Sequence, residues 1–159
     1  MSDIDLNETL NRCCKVAEAA LLPVVLETRP YFYYFGEYVP YMTWRVGPDE
    51  ITDEGSEETD IDSYLIIGRL IIAHITEGYD GENEGSLYTY IPLLKTAFNS
   101  NINLQSTTYP IAQTSLIEAR LGRTTGYKIF MDGGIKSIQV GCEFPLMCKF
   151  EQLTDYQYT

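Results

Sequence analysis

IDSYLIIGRLIIAHIT, residues 61–76, is the stretch from which the fold can be read. Taken at period two, one parity is Leu65, Ile67, Arg69, Ile71, Ala73 and Ile75; the other is Tyr64, Ile66, Gly68, Leu70, Ile72 and His74. A strand with one wet face alternates apolar with polar. Here both parities are mostly apolar, which predicts a central strand covered on both sides. Two helices of one domain cover one side, so the second cover has to come from another layer or another subunit.

Downstream, residues 77–85 form an acidic, turn-rich segment, and Ser86 caps a predicted helix running to Asn99. Leu87, Tyr90, Ile91, Leu94, Ala97 and Phe98 make its apolar stripe, and Pro92 restricts its first turns. After a polar connection come three predicted strands, 111–121, 126–131 and 135–153, the last two joined by a hairpin at Asp132-Gly133-Gly134. In the third strand the even positions Ile138, Val140, Cys142, Phe144, Leu146, Cys148 and Phe150 are apolar, and most odd positions are polar. Fully extended, that strand spans about 60 Å at ~3.3 Å per residue. A globule of this size has a radius of gyration of about 15 Å. The hairpin over 126–153 is therefore expected to bend sharply or to project and bury Phe144, Leu146 and Phe150 on a neighbour.

Upstream, Leu6, Leu10, Cys13, Ala17 and Leu21 recur at helical spacing behind Asp3 or Asp5 as cap, with Pro23 as the stop; Val24-Val25-Leu26 is a short strand candidate. Residues 31–44 then hold eight aromatics in 14 positions. One domain rarely buries so many rings in one place, so Tyr33, Tyr34, Tyr38, Tyr41 and Trp44 are read as candidate subunit or partner contacts, with a thick aromatic core as the alternative. From 47 to 62 an acidic loop is predicted. It carries Asp49, Glu50, Asp53, Glu54, Glu57, Glu58, Asp60 and Asp62 without one positive charge, and its spacing fits no calcium loop.

The chain has 159 residues, 45% of them hydrophobic, enough for one domain with a real core. Eleven Lys and Arg stand against 23 Asp and Glu, a formal net charge of −12. That field repels phosphate and argues against stable nucleic-acid binding. No apolar run is long enough to span a bilayer, and an acidic start argues against a secretory leader. Cys142 and Cys148, six apart in one strand, would lie roughly 20 Å apart, too far for a disulfide. The four cysteines, with Cys13 and Cys14, are read as reduced thiols of a cytosolic fold.

A search for catalytic groupings gives little. The single histidine, His74, falls in the buried strand. No phosphate-binding loop, dinucleotide fingerprint or nucleophile elbow occurs, and one His with scattered Cys makes no zinc set. Residues 122–126 (GRTTG) resemble a phosphate loop on the surface, but they join strand to strand, lack the lysine and read as a hairpin turn. The expectation is a non-enzyme with no cofactor and no metal.

The reading is an α+β fold in a single domain over 1–159. A mixed, mainly antiparallel sheet carries two main helices and a long C-terminal β-hairpin. This order of elements, with the two-faced strand ending in His74-Ile75-Thr76, resembles the tail terminator family of long-tailed bacteriophages. The resemblance implies a structural virion protein of the tail or neck, found in the host cytoplasm during assembly. It further implies a homo-oligomer in a hexameric ring, with tail-tube and neck or connector proteins as partners. The acidic loop would face a lumen through which DNA passes without being held. A neck, head-closure or baseplate protein, or a cellular module binding peptide or carbohydrate on the aromatic strip, is the competing expectation.

Overall fold

The computed structural model describes residues 4–31, 39–47, 52–55, 59–75, 81–131 and 138–153; within these, 52–55, 59–60, 75, 81–83 and 152–153 are described by backbone course alone. The order is α1 (Leu6–Ala20), β1 (Glu27–Pro30), β2 (Tyr41–Val46), β3 (Thr52–Gly55), β4 (Thr59–Ile75), α2 (Gly81–Asn99), β5 (Leu116–Leu121), β6 (Lys128–Phe130) and β7 (Ile138–Leu153). The α+β class stands as read: two helices on one mixed, mostly antiparallel sheet, ordered β1-β2-β4-β7-β5, with β3 paired to β4 and β6 to β7. Among the described residues only the β1–β2 pairing is parallel.

The two longest strands organise the rest. β4 and β7 pair antiparallel from Thr59↔Leu153 to Ile75↔Ile138. Two shorter strands lie end to end along each free edge: β3 and β2 on β4, β5 and β6 on β7. The predicted hairpin turn at 122–126 is instead a bridge between β5 and β6. It follows the same edge, with Gly122 N donating to Pro145 O (2.7 Å) and Thr125 N to Glu143 O (3.1 Å). The predicted acidic loop also needs correction. Thr52–Gly55 and the first residues of β4 form an antiparallel hairpin, with Asp53 opposite Asp62. Its propensity is poor, but β7 offers residues 149–153 as a ladder partner for 59–63, and that pairing outweighs local preference.

Helix α1 begins where its cap predicts, Glu8 N donating to Asp5 Oδ1 at 3.0 Å. It ends before Pro23, whereas α2 starts five residues earlier than Ser86. Val24-Val25-Leu26 is not a strand; β1 follows it on the polar Glu27–Pro30. Arg12, buried on α1, donates to Leu104 O (3.2 Å) and Ile111 O (2.7 Å), and its guanidinium lies over Tyr109. Thr9 Oγ1 donates to Gln113 Oε1 (2.9 Å). These bonds tie the strandless run 100–115 down and satisfy carbonyls that burial would otherwise leave unpaired.

One core cluster joins Leu10, Cys13, Ala17 and Leu21 of α1 and Leu87, Leu94 and Phe98 of α2 to Met42, Trp44, Ile66 and Leu70 of β2 and β4 and to the even positions of β7. Trp44 packs on Phe98 with centroids 5.2 Å apart. A register shift between Ile71 and Ala73 re-phases β4, so that Ala73 faces Val140 and His74 faces Gln139. At that point the backbones approach so closely that a Cβ on Gly141 would stand 1.7 Å from the Leu70 carbonyl oxygen.

Gly141→Ala is expected to cost at least about 3 kcal/mol, since the obstacle is backbone and cannot swing aside. Gly85→Ala on α2, with nothing within 4 Å of the new methyl, should be neutral or stabilising by up to about 1 kcal/mol. Urea unfolding of the two variants checks this; equal midpoints would refute the close-approach argument.

Candidate interaction surface

Strand alternation divides the sheet into a face under the helices and an outer face. The residues expected at an interface fall mainly on the first. Trp44, Phe144, Leu146 and Phe150 are each 0% exposed, inside the chain's own core. The projecting-hairpin expectation is corrected on this point: the chain's own core covers β7 from Val140 to Phe150, so Phe144, Leu146 and Phe150 are not left for a neighbour, and of the even apolar positions only Ile138, at the start of the strand, is exposed. Full burial also removes Trp44 from any ligand-binding strip. Tyr41 is on the outer face but buried, in a small second cluster with Ile71 and Phe130. Its hydroxyl accepts from Gln139 Nε2 at 2.7 Å, and its ring stacks on His74 at 6.0 Å. Tyr33, Tyr34, Tyr38, Asp49, Glu50, Glu57 and Glu58 lie outside the described residues. Asp53 and Glu54 lie in β3, not in a loop.

The outer face can be built row by row from the register. One row runs Arg45, Ile67, Pro145; the next toward the β3 end runs Leu65, Met147, Arg120. Four apolar side chains thus form a patch with an arginine at each side. Gly47, just past β2, lies close over Ile67 and Leu65, and Met147 is 39% exposed. Among the described elements only α1 and α2 pack across the sheet, and both lie on the opposite face. On this second parity of β4 Ile71 is fully buried with Tyr41 and Phe130, while Leu65 and Ile67 are half-buried with no described helix over them.

Beside the patch runs an ionic row. Arg69 and Glu143 face each other in the register, with Arg69 Nη2 3.4 Å from Glu143 Oε2, and Lys128 Nζ donates to Glu143 Oε1 at 2.9 Å. The Arg69 guanidinium also lies 4.2 Å from the Phe130 ring centroid. Such a half-buried carboxylate held by two cations resists truncation, because removing one partner strands the other charges. By the register Arg29, Arg45, Arg69, Arg120, Lys128 and Lys149 lie on the outer face, Arg120 Nε donating to Glu118 Oε2 at 2.7 Å, and the exposed Arg123 lies at the β5–β6 edge. By the same register Glu27, Glu54, Glu118, Glu143 and Glu151 lie on this face.

The remaining sequence candidates for chemistry are engaged structurally. In residues 122–126, Gly122 N, Thr125 N and Thr124 Oγ1 donate to β7, the last to Glu143 O at 3.0 Å. A groove of about 270 Å³ lies between Asp5, Glu8 and Arg12 of the first helix and residues 111–115, where Arg12 is already committed to two carbonyls and to Glu8 at 3.4 Å. Among the described residues no group of three or more His, Cys, Asp or Glu is placed to hold a metal ion. No described helix is long and apolar enough to cross a membrane. All four cysteines are buried free thiols.

The sequence pointed to this face only through Leu65 and Ile67; Pro145 and Met147 sit among the polar positions of β7 and gave no signal. No family model matches the chain, and no curated protein matches it. Among solved structures, a chain described as "Virion of native gene transfer agent (GTA) particle" aligns with 91% of this chain and 91% of its own length, at 12% identity and a TM-score of 0.38.

Burial pushes the Cys14 and Cys142 thiols up to about 12, and raises Cys13 and Cys148 as well, from an ordinary value of 9.0. Unfolding frees these thiols to ionise near that ordinary value, so above it the unfolded chain holds fewer protons than the folded one. Stability fully present below pH ~8.5 should then fall with rising pH, by up to roughly 1.4 kcal/mol per pH unit for each thiol. Urea midpoints at pH 7.5, 8.5 and 9.5 check this; a flat profile would contradict it. Thiol-reactive dye should label none of the four cysteines until the chain unfolds.

Proposed function

We propose that this chain is a non-enzymatic structural protein of a phage-type virion, acting as one subunit of a ring at the end of the tail tube, where tube and neck join. The observation that carries the reading is the outer face of the sheet. A strand apolar on both sides is covered by helices on only one, and the other bears an apolar patch between arginines. Apolar surface of this kind is stabilised by burial against another chain. The tail terminator role comes from the resemblance in element order, and with it the hexameric ring and the tail-tube and neck partners. In this reading the chain's acidity keeps DNA moving through a lumen without binding it. The protein resides in the virion, after assembly in the host cytoplasm.

Mass photometry and negative-stain imaging of the purified chain, alone and with tail tubes, test the proposal. Ring-shaped hexamers, or rings seated on tube ends, are expected. A strict monomer that stays monomeric on the tubes would overturn it. Met147→Glu should impair assembly with the fold intact, because the new charge meets solvent in the free subunit. Phe144→Asp should lose the fold itself by several kcal/mol, since it buries an unpaired charge in the core. Circular dichroism beside the mass measurement separates the two outcomes.

A further inference from the structure

Helix α2 is apolar on more sides than the core uses. Leu87, Leu94 and Phe98 enter the core, yet the side turned away from it carries Tyr88, 55% exposed, and Leu93, 46% exposed, among the exposed Thr89, Pro92 and Thr96. The Tyr88 hydroxyl donates to Glu84 Oε1 at 2.5 Å, so its polar atom is satisfied while much of the ring stays outside. A helix with apolar residues around its circumference is stabilised by cover on both sides. Charge is also scarce here: from 85 to 117 the sequence holds one charged residue, Lys95, in a chain with 11 basic and 23 acidic ones.

The outer face of the sheet has the matching need. Leu65 and Ile67 are half-buried and Met147 is 39% exposed, with Pro145 beside them and no described helix above. Because α2 packs on the other face of the same sheet, its outward side and this patch lie on opposite sides of the subunit. Two copies of net charge −12 repel where their acidic parts approach, and least where that charge is missing or balanced. The one charge of α2 beyond Glu84 is positive, and on the outer face basic residues from Arg29 to Lys149 stand among the glutamates.

We infer that the outward side of α2 in one subunit packs on the patch of Leu65, Ile67, Pro145 and Met147 in a second copy. This deepens the ring reading above and rests on it. The contact gives the sheet a helix on each face, the layering that suits a strand apolar on both parities. A centre depleted of charge and holding a tyrosine and a leucine has the composition of an interface core. Its two halves are different surfaces, so the contact is head-to-tail. Each copy offers a helix to one neighbour and a sheet face to the other, and a closed ring leaves neither uncovered. The ion pairs on the face, Arg69 with Glu143 and Arg120 with Glu118, stay as they are, because α2 needs no charge from them.

Cysteine cross-linking tests the pairing, since the four native thiols are buried. Leu93→Cys and Met147→Cys place one exposed thiol on each surface. Treated with a short bis-maleimide, either variant alone should stay uncross-linked, and the one-to-one mixture should give covalent dimers with one chain of each. Self-linkage of the Leu93→Cys chain would mean that copies meet helix to helix, and its linkage to tail-tube protein would make the tube the occupant; either overturns the inference. Leu93→Glu, folded by circular dichroism, should raise the concentration needed for half-assembly by about tenfold or more, because it buries an unpaired charge. Val25→Glu adds the same charge between α1 and β1, at a residue 77% exposed, and should assemble as the wild type does. If both variants weaken assembly equally, or neither does, the contact falls while the ring reading stands. A wild-type chain that is monomeric with and without tail tubes overturns both.

Discussion

The close pairing of β4 with β7 is the constraint on which the rest of the molecule depends. At its tightest point Gly141 lies under the Leu70 carbonyl, a space that admits no side chain. The register set there decides which residues of both strands face the helices. It also positions the edges along which β2, β3, β5 and β6 are laid. A slip of one residue would turn Phe144, Leu146 and Phe150 to the wrong side and bring Glu143 and Lys149 into the core. The register shift between Ile71 and Ala73 is the one place where the ladder changes phase. It lets His74 join Tyr41 and Gln139 on the outer face while Ala73 stays opposite Val140.

The two faces of that ladder have different chemistry. Under the helices the contacts are apolar, with Gly68 giving the Trp44 ring its place: a Cβ there would stand 2.5 Å from a ring carbon. On the outer face apolar and ionic rows lie side by side. Arg12 performs a different task. It shows that a buried cation need not belong to a site, because its donors are used to hold the run from Leu104 to Ile111 against α1.

Much of the fold was legible because its signals are local. Asp5 as a cap, the stripe from Leu87 to Phe98 and the even-position alternation of β7 each report a backbone period, and each was found. The misreadings concern partners distant in sequence. Acidic residues 52–62 looked like a loop, since nothing nearby reveals that β7 extends far enough to pair with them. Residues 122–126 looked like a turn because β5 and β6 are close in sequence, yet both strands bond to β7 and not to each other. The aromatics misled for a related reason. Side-chain type says that a ring prefers cover, but not whether the cover comes from within the chain, as for Trp44 and Phe150.

By itself the sequence determined an α+β domain, a central strand apolar on both parities and a strongly acidic chain, because periodicity and charge are properties of neighbouring residues. Only the tertiary structure decided that Phe144, Leu146 and Phe150 are consumed in the chain's own core, and that basic residues scattered from Arg29 to Lys149 meet on the opposite face. Those outcomes follow from which strands pair and in what register, and pairing joins residues as far apart as Arg45, Arg69 and Glu143.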